Sequence, residues 1–173
     1  MWKYLWLVVM FFVVTGCEKS TDVGNVDLDV VPVADENHML NVELDNDEVQ
    51  ALIMAIDDEY KARATYKAIV EKFGEISPFA SIIKAEQKHI DELLMLFEKY
   101  EVMVPSDSWE ISPDDFESKE LACVLGVNAE LNNVLLYDML LPKIKHQDIV
   151  DVFEKLQDAS ENNHLLAFEK CGE

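Results

Sequence analysis

The sequence has few basic residues. Its 173 residues include 14 lysines and arginines against 35 aspartates and glutamates, so the formal net charge is −21 at pH 7. Nucleic-acid binding depends on a basic surface that neutralises phosphates. The composition therefore excludes a nucleic-acid-binding protein, and it is compatible with a solvated acidic surface or with the attraction of metal cations. Hydrophobic residues make up 50% of the chain, enough for one compact domain with a sizeable core.

The chain also lacks a long hydrophobic run. The apolar stretch from Tyr4 to Val14 is too short to span a membrane comfortably. It is followed by VTGC, ending at Cys17, which resembles the lipobox of bacterial lipoprotein signal peptides. The resemblance implies that residues 1–16 are a signal peptide and that Cys17 is lipidated. The protein would then be exported and anchored to the cell membrane or outer membrane. An ordinary secretory signal with a free Cys17 is the open alternative.

Residues 17–45 are polar and acidic with scattered valines, and no helical period persists in them. They are predicted to form a flexible, lipidated tether. Residues 46–173 have a helical pattern almost throughout and are predicted to form a single helical domain.

Start and stop signals predict two helices in the first half of this domain. Asp45, with Glu48 three residues later, is typical of a capping box before helix one, and Gly74 ends that helix. Ser77-Pro78 then begins helix two, which runs to about residue 100.

Two further helices are predicted in the second half. Helix three covers about 117–141. Asp148 is predicted to cap helix four, which runs to about residue 170. His146 lies in the turn between them and is expected to be exposed.

The lengths of the connections predict the topology. The turns after helices one and three are short, so each pair of helices should form an antiparallel hairpin. Residues 101–116 could extend over about 50 Å, enough to return along a bundle about 30 Å long. Two hairpins joined by one long crossover are the ferritin-like arrangement of an all-α four-helix bundle.

Acidic and histidine side chains interrupt the apolar stripe of every predicted helix. In helix two, steps of seven residues from Phe79 and from Ile82 reach core-type residues with two exceptions, Glu86 and His89. The residues that interrupt the four stripes are Glu59, Glu86, His89, Glu130, Glu161 and His164. Both halves of the domain have the order Glu, then Glu-x-x-His, which is a weak internal duplication. Counted from the helix ends, the six residues lie at the same height to within about one helical turn.

These six side chains are suited to binding metal. The Glu-x-x-His spacing puts both residues on one helix face. Buried carboxylates and imidazoles are costly unless they are paired or bound to a cation, and carboxylates converging without a cation would repel one another. Four carboxylates and two imidazoles suit iron or manganese at two centres, with open positions left over. A buried polar network without metal is the open alternative.

Three segments carry a family resemblance: DDEYKARATYKAIVEKFG, KAEQKHIDELLMLFEKY and ENNHLLAFEK. They resemble the ferritin-like superfamily, and more narrowly an uncharacterised bacterial and archaeal ferritin-like family. The resemblance covers about residues 45–170 and implies that the six residues are the ligands of two iron ions. There is no Cys-x-x-Cys pair, so the iron–sulfur domain of rubrerythrins is absent and any electron donor is external. The tether and the missing fifth helix argue against a ferritin cage.

Two tyrosines accompany the predicted ligands. Tyr66 and Tyr137 follow Glu59 and Glu130 by seven residues, which places them about two helical turns from the site. A radical role, a hydrogen-bonding role and a simple place in the core are all open.

Two cysteines are predicted to form a disulfide. Cys123 precedes Glu130 by seven residues, and Cys171 follows His164 by seven. In an antiparallel hairpin both therefore lie on the inward face, about 10 Å from the predicted site. An exported protein can keep a disulfide, and two buried free thiols are the alternative.

Three functions are compatible with the sequence. The first is a ferroxidase- or peroxidase-like oxidoreductase, whose two iron ions cycle between ferrous and ferric states while oxygen or peroxide is reduced. The second is a lipoprotein that binds iron, manganese or zinc without turnover. The third is a helical module that binds a partner. The sequence leaves open the metal used in vivo, the substrate and whether the chain forms a homodimer.

Overall fold

The structure, a computed structural model, describes residues 43–171. The predicted signal peptide, Cys17 and nearly all of the predicted tether lie outside the described residues, as do the last two residues of the chain. None of the described helices combines the length and the apolar composition that crossing a bilayer requires.

All regular secondary structure among the described residues is helical. The first three long helices are α1 (Asn46–Phe73), α2 (Phe79–Lys99) and α3 (Lys119–Leu140). The last predicted helix is divided into α4 (Gln147–Ala159), a π turn (Ser160–His164) and α5 (Leu165–Glu169). Short 3₁₀ turns lie at Pro113–Asp115 and Leu141–Lys143.

Helix α1 begins and ends as predicted. The Asp45 carboxylate accepts hydrogen bonds from the backbone N–H groups of Asp47 and Glu48, and the Glu48 carboxylate accepts one from the N–H of Asp45. Gly74 follows the helix with φ 84°, a conformation that favours glycine, and its N–H donates to the carbonyl of Val70.

The start of α4 differs from the prediction. His146, not Asp148, is the N-cap residue, and Asp148 lies in the first turn. The Asp148 carboxylate accepts hydrogen bonds from Lys99 and Tyr100 at the end of α2, at 2.7 Å each, so it is directed to α2 and does not cap α4. The prediction of an exposed His146 was also wrong, because its Nδ1 lies 2.7 Å from the buried Glu48 carboxylate.

Contacts across α1 fix the directions of its two neighbours. Tyr66 contacts Glu130, whereas the earlier Glu59 contacts the later Tyr137, so α1 and α3 are antiparallel. Glu59 also contacts His89 of α2.

The contacts of α2 complete the topology. Arg63 reaches Gln87, before His89 in the chain, so α1 and α2 are antiparallel too. Helices α2 and α3 therefore run in the same direction, and the chain between them has to return along the bundle.

The returning connection lies against α1. Trp109 Nε1 donates to Asp57 at 2.9 Å, and Lys72 Nζ donates to Asp114 at 2.9 Å. Arg63, between these two points on α1, pairs with Asp107. The described chain is thus an all-helical bundle with a crossover fastened along its first helix.

Two apolar cores fill the bundle. One core contains Leu52, Ile56, Leu93, Phe97, Phe153 and others, and the second contains Ile69, Phe79, Ile82, Phe116, Phe168 and others. At the side of the second core, a disulfide joins Cys123 of α3 to Cys171 just after α5, with the two Cα atoms 5.6 Å apart.

Candidate metal centre

Five buried titratable side chains lie between the two cores. They are Glu59, Glu86, His89, Glu130 and His164, and each is at most 6% exposed. All five belong to the six residues that the sequence pattern selects. Each of the four helical segments contributes at least one of them, because each apolar stripe is interrupted at the same height.

The first cluster consists of Glu59, Glu86 and His89. The Nδ1 atom of His89 lies 3.2 Å from Oε2 of Glu59 and 3.1 Å from Oε2 of Glu86. One oxygen or nitrogen atom from each residue lies within 4.8 Å of the other two. This is a three-ligand group of the size that can surround one metal ion.

The second cluster consists of Glu86, Glu130 and His164. The Nδ1 atom of His164 lies 3.3 Å from Oε1 of Glu86 and 3.4 Å from Oε2 of Glu130. The angles are not those of hydrogen bonds, so this buried nitrogen has no hydrogen-bond partner among the described residues. In this second cluster too, one oxygen or nitrogen atom from each of the three residues lies within 4.8 Å of the other two.

Glu86 belongs to both clusters. Its Oε2 faces His89 and its Oε1 faces His164. The two imidazole rings are nearly parallel, with centroids 5.5 Å apart, one on either side of this carboxylate. A carboxylate with one oxygen in each of two ligand groups has the geometry of a bridge between two cations.

The electrostatics of the clusters favour positive charge. Burial lowers the pKa of His89, but the carboxylates of Glu59 and Glu86 outweigh it and raise that pKa to about 10. Burial likewise lowers the pKa of His164, and Glu130 and Glu86 raise it to about 9. Burial and the charge of Glu86 raise the pKa of Glu59 well above its usual 4.5. The carboxylates therefore draw positive charge into the layer, which protons or divalent cations can supply.

Two tyrosines hold the carboxylates crosswise. Tyr66 of α1 donates its hydroxyl proton to Oε1 of Glu130 on α3, at 2.6 Å. Tyr137 of α3 donates to Oε1 of Glu59 on α1, at 3.2 Å. Burial, followed by the facing carboxylate, raises both tyrosine pKa values well above 10, so both hydroxyls remain donors. Of the roles that the sequence leaves open, the structure shows hydrogen bonding within the core.

The structure does not bring Glu161 to this group. Its side chain is exposed, and it belongs to neither cluster. Glu161 and His164 lie within the π turn, which is wider than an α-helical turn, so residues three apart no longer share a face. The preceding residue, Ser160, occupies the buried position instead.

A cavity of about 400 Å³ leads to the second cluster. Its inner wall includes Glu86, Glu130 and Tyr66, and its outer rim includes the exposed Asn128 and Asn132 of α3. The crossover covers part of it with the side chains of Ile111 and Phe116. The cavity therefore extends from the surface towards the buried Glu86 and Glu130.

Two polar residues that the sequence pattern did not single out lie between this cavity and the first cluster. Asn133 Nδ2 donates to Oδ2 of Asp58 at 2.8 Å and approaches Oε1 of Glu59 at 3.4 Å. Burial raises the pKa of Asp58. Asn133 follows Glu130 by three residues, so its place on the same inward face of α3 was readable from the spacing.

The fold and the site define the chain as an all-helical bundle with a buried carboxylate–histidine layer. Residues 48–125 match the sequence profile of a family described as "Uncharacterized protein domain (DUF2202)". The chain is 29% identical over 140 residues to the uncharacterised protein MJ0754 of Methanocaldococcus jannaschii, covering 72% of this chain and 75% of that protein.

The fold is similar to a solved structure as well. The crystal structure of the hypothetical protein MJ0754 matches with a TM-score of 0.67 and 26% sequence identity. The match covers 75% of this chain and 81% of that one. The likeness extends beyond the profile match at 48–125, and it supports the all-helical architecture.

Proposed function

We propose that this chain is a ferritin-like protein whose buried layer binds two metal ions, iron first, with manganese and zinc as alternatives. We further propose that it oxidises ferrous iron or reduces oxygen or peroxide at that layer. The observation that carries the proposal is the position of Glu86, which directs one oxygen to each of two three-ligand clusters.

The donor set fits such a pair of ions. Carboxylates and imidazoles are ligands of iron, manganese and zinc. Glu59 and His89 would hold the first ion, Glu130 and His164 the second, and Glu86 would bridge them. The buried Nδ1 of His164, which lies near two carboxylate oxygens without a hydrogen bond, is placed as a ligand atom would be. With five ligands, both ions would keep open positions.

When bound, a pair of ferrous ions would supply two electrons, which together with two protons from solvent are enough to reduce one hydrogen peroxide to two waters. The chain's own residues prepare the layer for this. Tyr66 and Tyr137 fix the orientation of Glu130 and Glu59 through the crosswise hydrogen bonds. The cavity beside Glu130 admits a small oxidant, and the apolar cores on either side exclude bulk water.

The proposal includes two partners, a membrane and an electron donor. Lipidation of Cys17 would hold the domain at a membrane surface. Because the sequence has three cysteines and no Cys-x-x-Cys pair, the electrons for repeated turnover would come from an external donor.

The test is to load the protein anaerobically with ferrous iron, remove unbound metal and measure the iron content. We expect about two iron ions per chain. Oxygen or peroxide is then added in separate samples, and ferric absorption and oxidant consumption are followed together. Iron that is bound but inert to both oxidants would favour a metal-handling lipoprotein over an oxidoreductase. A chain that takes up no iron in this experiment, and no manganese or zinc when each is loaded in the same way, would end the metal proposal.

A further inference from the structure

The outward side of α3 carries an unusual exposed surface. Six large apolar residues on it are between 38% and 59% exposed, and we call them the outer face of α3: Leu121, Val124, Leu125, Leu131, Leu135 and Met139. They recur at helical spacing, so they form one stripe opposite the buried side of the helix. Over about 27 Å of helix they expose on the order of 500 Å² of largely apolar surface, which is the size of the largest, often functional, patch on a typical monomer.

This stripe is almost free of charge. Between Leu121 and Met139 the charged residues are the buried Glu130 and the exposed Asp138. The whole chain carries a net charge of −21. Two copies of such an acidic chain repel each other across most surfaces, and the repulsion between facing side chains is smaller at the outer face of α3.

The order of residues along the outer face is self-complementary. When α3 is laid antiparallel on a second α3 with the two-fold axis at position 130, Leu121 faces Met139 and Leu125 faces Leu135. The same register brings Asn128 opposite Asn132, both of which are exposed. The centre of the stripe thus contains the two amides beside Leu131, and its ends are apolar, as in helix pairs whose register a polar residue fixes.

From this pattern we infer that the outer face of α3 binds a second copy of this chain in a two-fold, antiparallel α3–α3 contact. A two-fold interface requires one surface to match itself, and this stripe does. The apolar side chains of the outer face of α3, once buried in the contact, would supply the affinity, and the Asn128–Asn132 hydrogen bonds would select the register.

The contact would also border the cavity. Leu125, Asn128 and Asn132 line that cavity and belong to, or lie beside, the outer face of α3. The partner's helix would therefore narrow the α3 side of the entrance. This inference does not depend on the metal proposal, since the stripe contains none of the five buried ligands.

The first test is the mass of the full chain with Cys17→Ser, measured by sedimentation over a range of concentrations. We expect a dimer, and at least a ~100-fold weaker dimer in the double variant Leu131→Glu, Leu135→Glu. Met95→Glu is the matched control, because Met95 is 69% exposed on α2, away from this stripe. Helicity and an intact disulfide establish that each variant is folded. A monomeric wild type, or a dimer that only Met95→Glu disrupts, would overturn the inference.

The second test examines direction. In the Cys17→Ser background, Leu131→Cys lies near the two-fold axis and should be crosslinked between copies by a short bismaleimide. Leu121→Cys should not be crosslinked, because the two cysteines introduced at position 121 would be about 27 Å apart along the helix axis. Efficient crosslinking through position 121 instead would show a parallel contact and refute the proposed arrangement.

Discussion

At the scale of single residues, glutamates on the predicted apolar stripes are buried in one helix and exposed in another. Glu86 is 2% exposed and has an imidazole on each side. Glu161 lies exposed in the π turn. Glutamate on an apolar stripe therefore indicates a buried carboxylate only where the helix keeps its period.

The substitution Glu86→Gln should abolish stable binding of both metal ions, because the amide cannot bridge two cations as a carboxylate does. Glu161→Gln should leave the iron content at about two ions per chain. Iron content after anaerobic loading and desalting measures both. The reverse result, with loss in Glu161→Gln and retention in Glu86→Gln, would contradict the assignment of the bridge.

Glu48 shows a second buried carboxylate with a structural role. Its Oε1 accepts hydrogen bonds from the backbone N–H groups of Lys145 and His146, at 2.7 and 3.1 Å, and lies 2.7 Å from His146 Nδ1. Burial raises the pKa of Glu48, but these bonds and that of Asp45 outweigh it and hold the pKa below its usual 4.5. Glu48 thus fastens the start of α1 to the start of α4.

A lowered pKa makes the contribution of Glu48 depend on pH. Its stabilisation is fully present above the unfolded-state pKa of 4.5 and is lost as the pH falls through the lower folded-state value. Glu48→Gln should lower the free energy of unfolding at pH 7 by about 1–3 kcal/mol and flatten the acid limb of the stability curve. Urea unfolding between about pH 7 and 3 measures both effects. An unchanged acid limb would show that other carboxylates dominate it.

At the scale of elements, the helix hairpins and the burial of five site residues follow from the sequence. A stripe of seven-residue steps is a property of the local sequence, so the inward placement of Glu59 and Glu130 can be predicted from that sequence alone. The π turn cannot, because it depends on how α4 packs against its neighbours.

Close packing between α3 and α5 leads to a prediction at Gly126. A Cβ atom there would lie 2.5 Å from Cδ1 of Phe168, whose ring packs on Tyr66 and Phe79. Alanine would favour the helix by about 1 kcal/mol. We nevertheless expect Gly126→Ala to destabilise the protein by about 1–3 kcal/mol, because the buried ring has to move.

Urea unfolding of the oxidised protein tests this expectation. The double variant Gly126→Ala, Phe168→Leu is the control, and its loss should be smaller than the sum of the two single losses because the clash is relieved. A stabilised Gly126→Ala variant would show that the ring adapts without cost.

At the scale of the whole molecule, the lengths of the connections predicted the order and the directions of the helices. They did not predict where on the bundle the crossover lies. A long connection has to return, but its path depends on particular pairs such as Trp109–Asp57 and Lys72–Asp114. The cavity was equally unpredictable, since residues far apart in the chain, such as Ala62, Ile111 and Asn128, enclose it.

Lipidation is a prediction about the whole chain that the described residues do not test. The protein should partition with membranes and release an acylated N-terminal Cys17 peptide in mass spectrometry. Cys17→Ala should abolish the acylated peptide and leave the helical content unchanged, because the bundle lies after residue 45. A mature wild-type chain that begins at Met1 would contradict the prediction.

The crosswise hydrogen bonds have a consequence for how the molecule can be divided. Tyr66 of the first hairpin orients Glu130 of the second, and Tyr137 of the second orients Glu59 of the first. Each hairpin therefore contains a glutamate, Glu59 or Glu130, that is positioned by a tyrosine hydroxyl of the other hairpin. If the chain is cut within the crossover, the buried carboxylate–histidine layer should become ordered only when both fragments are mixed. In a symmetric dimer of a single hairpin, each copy would donate its tyrosine hydroxyl to the glutamate of the other in the same way.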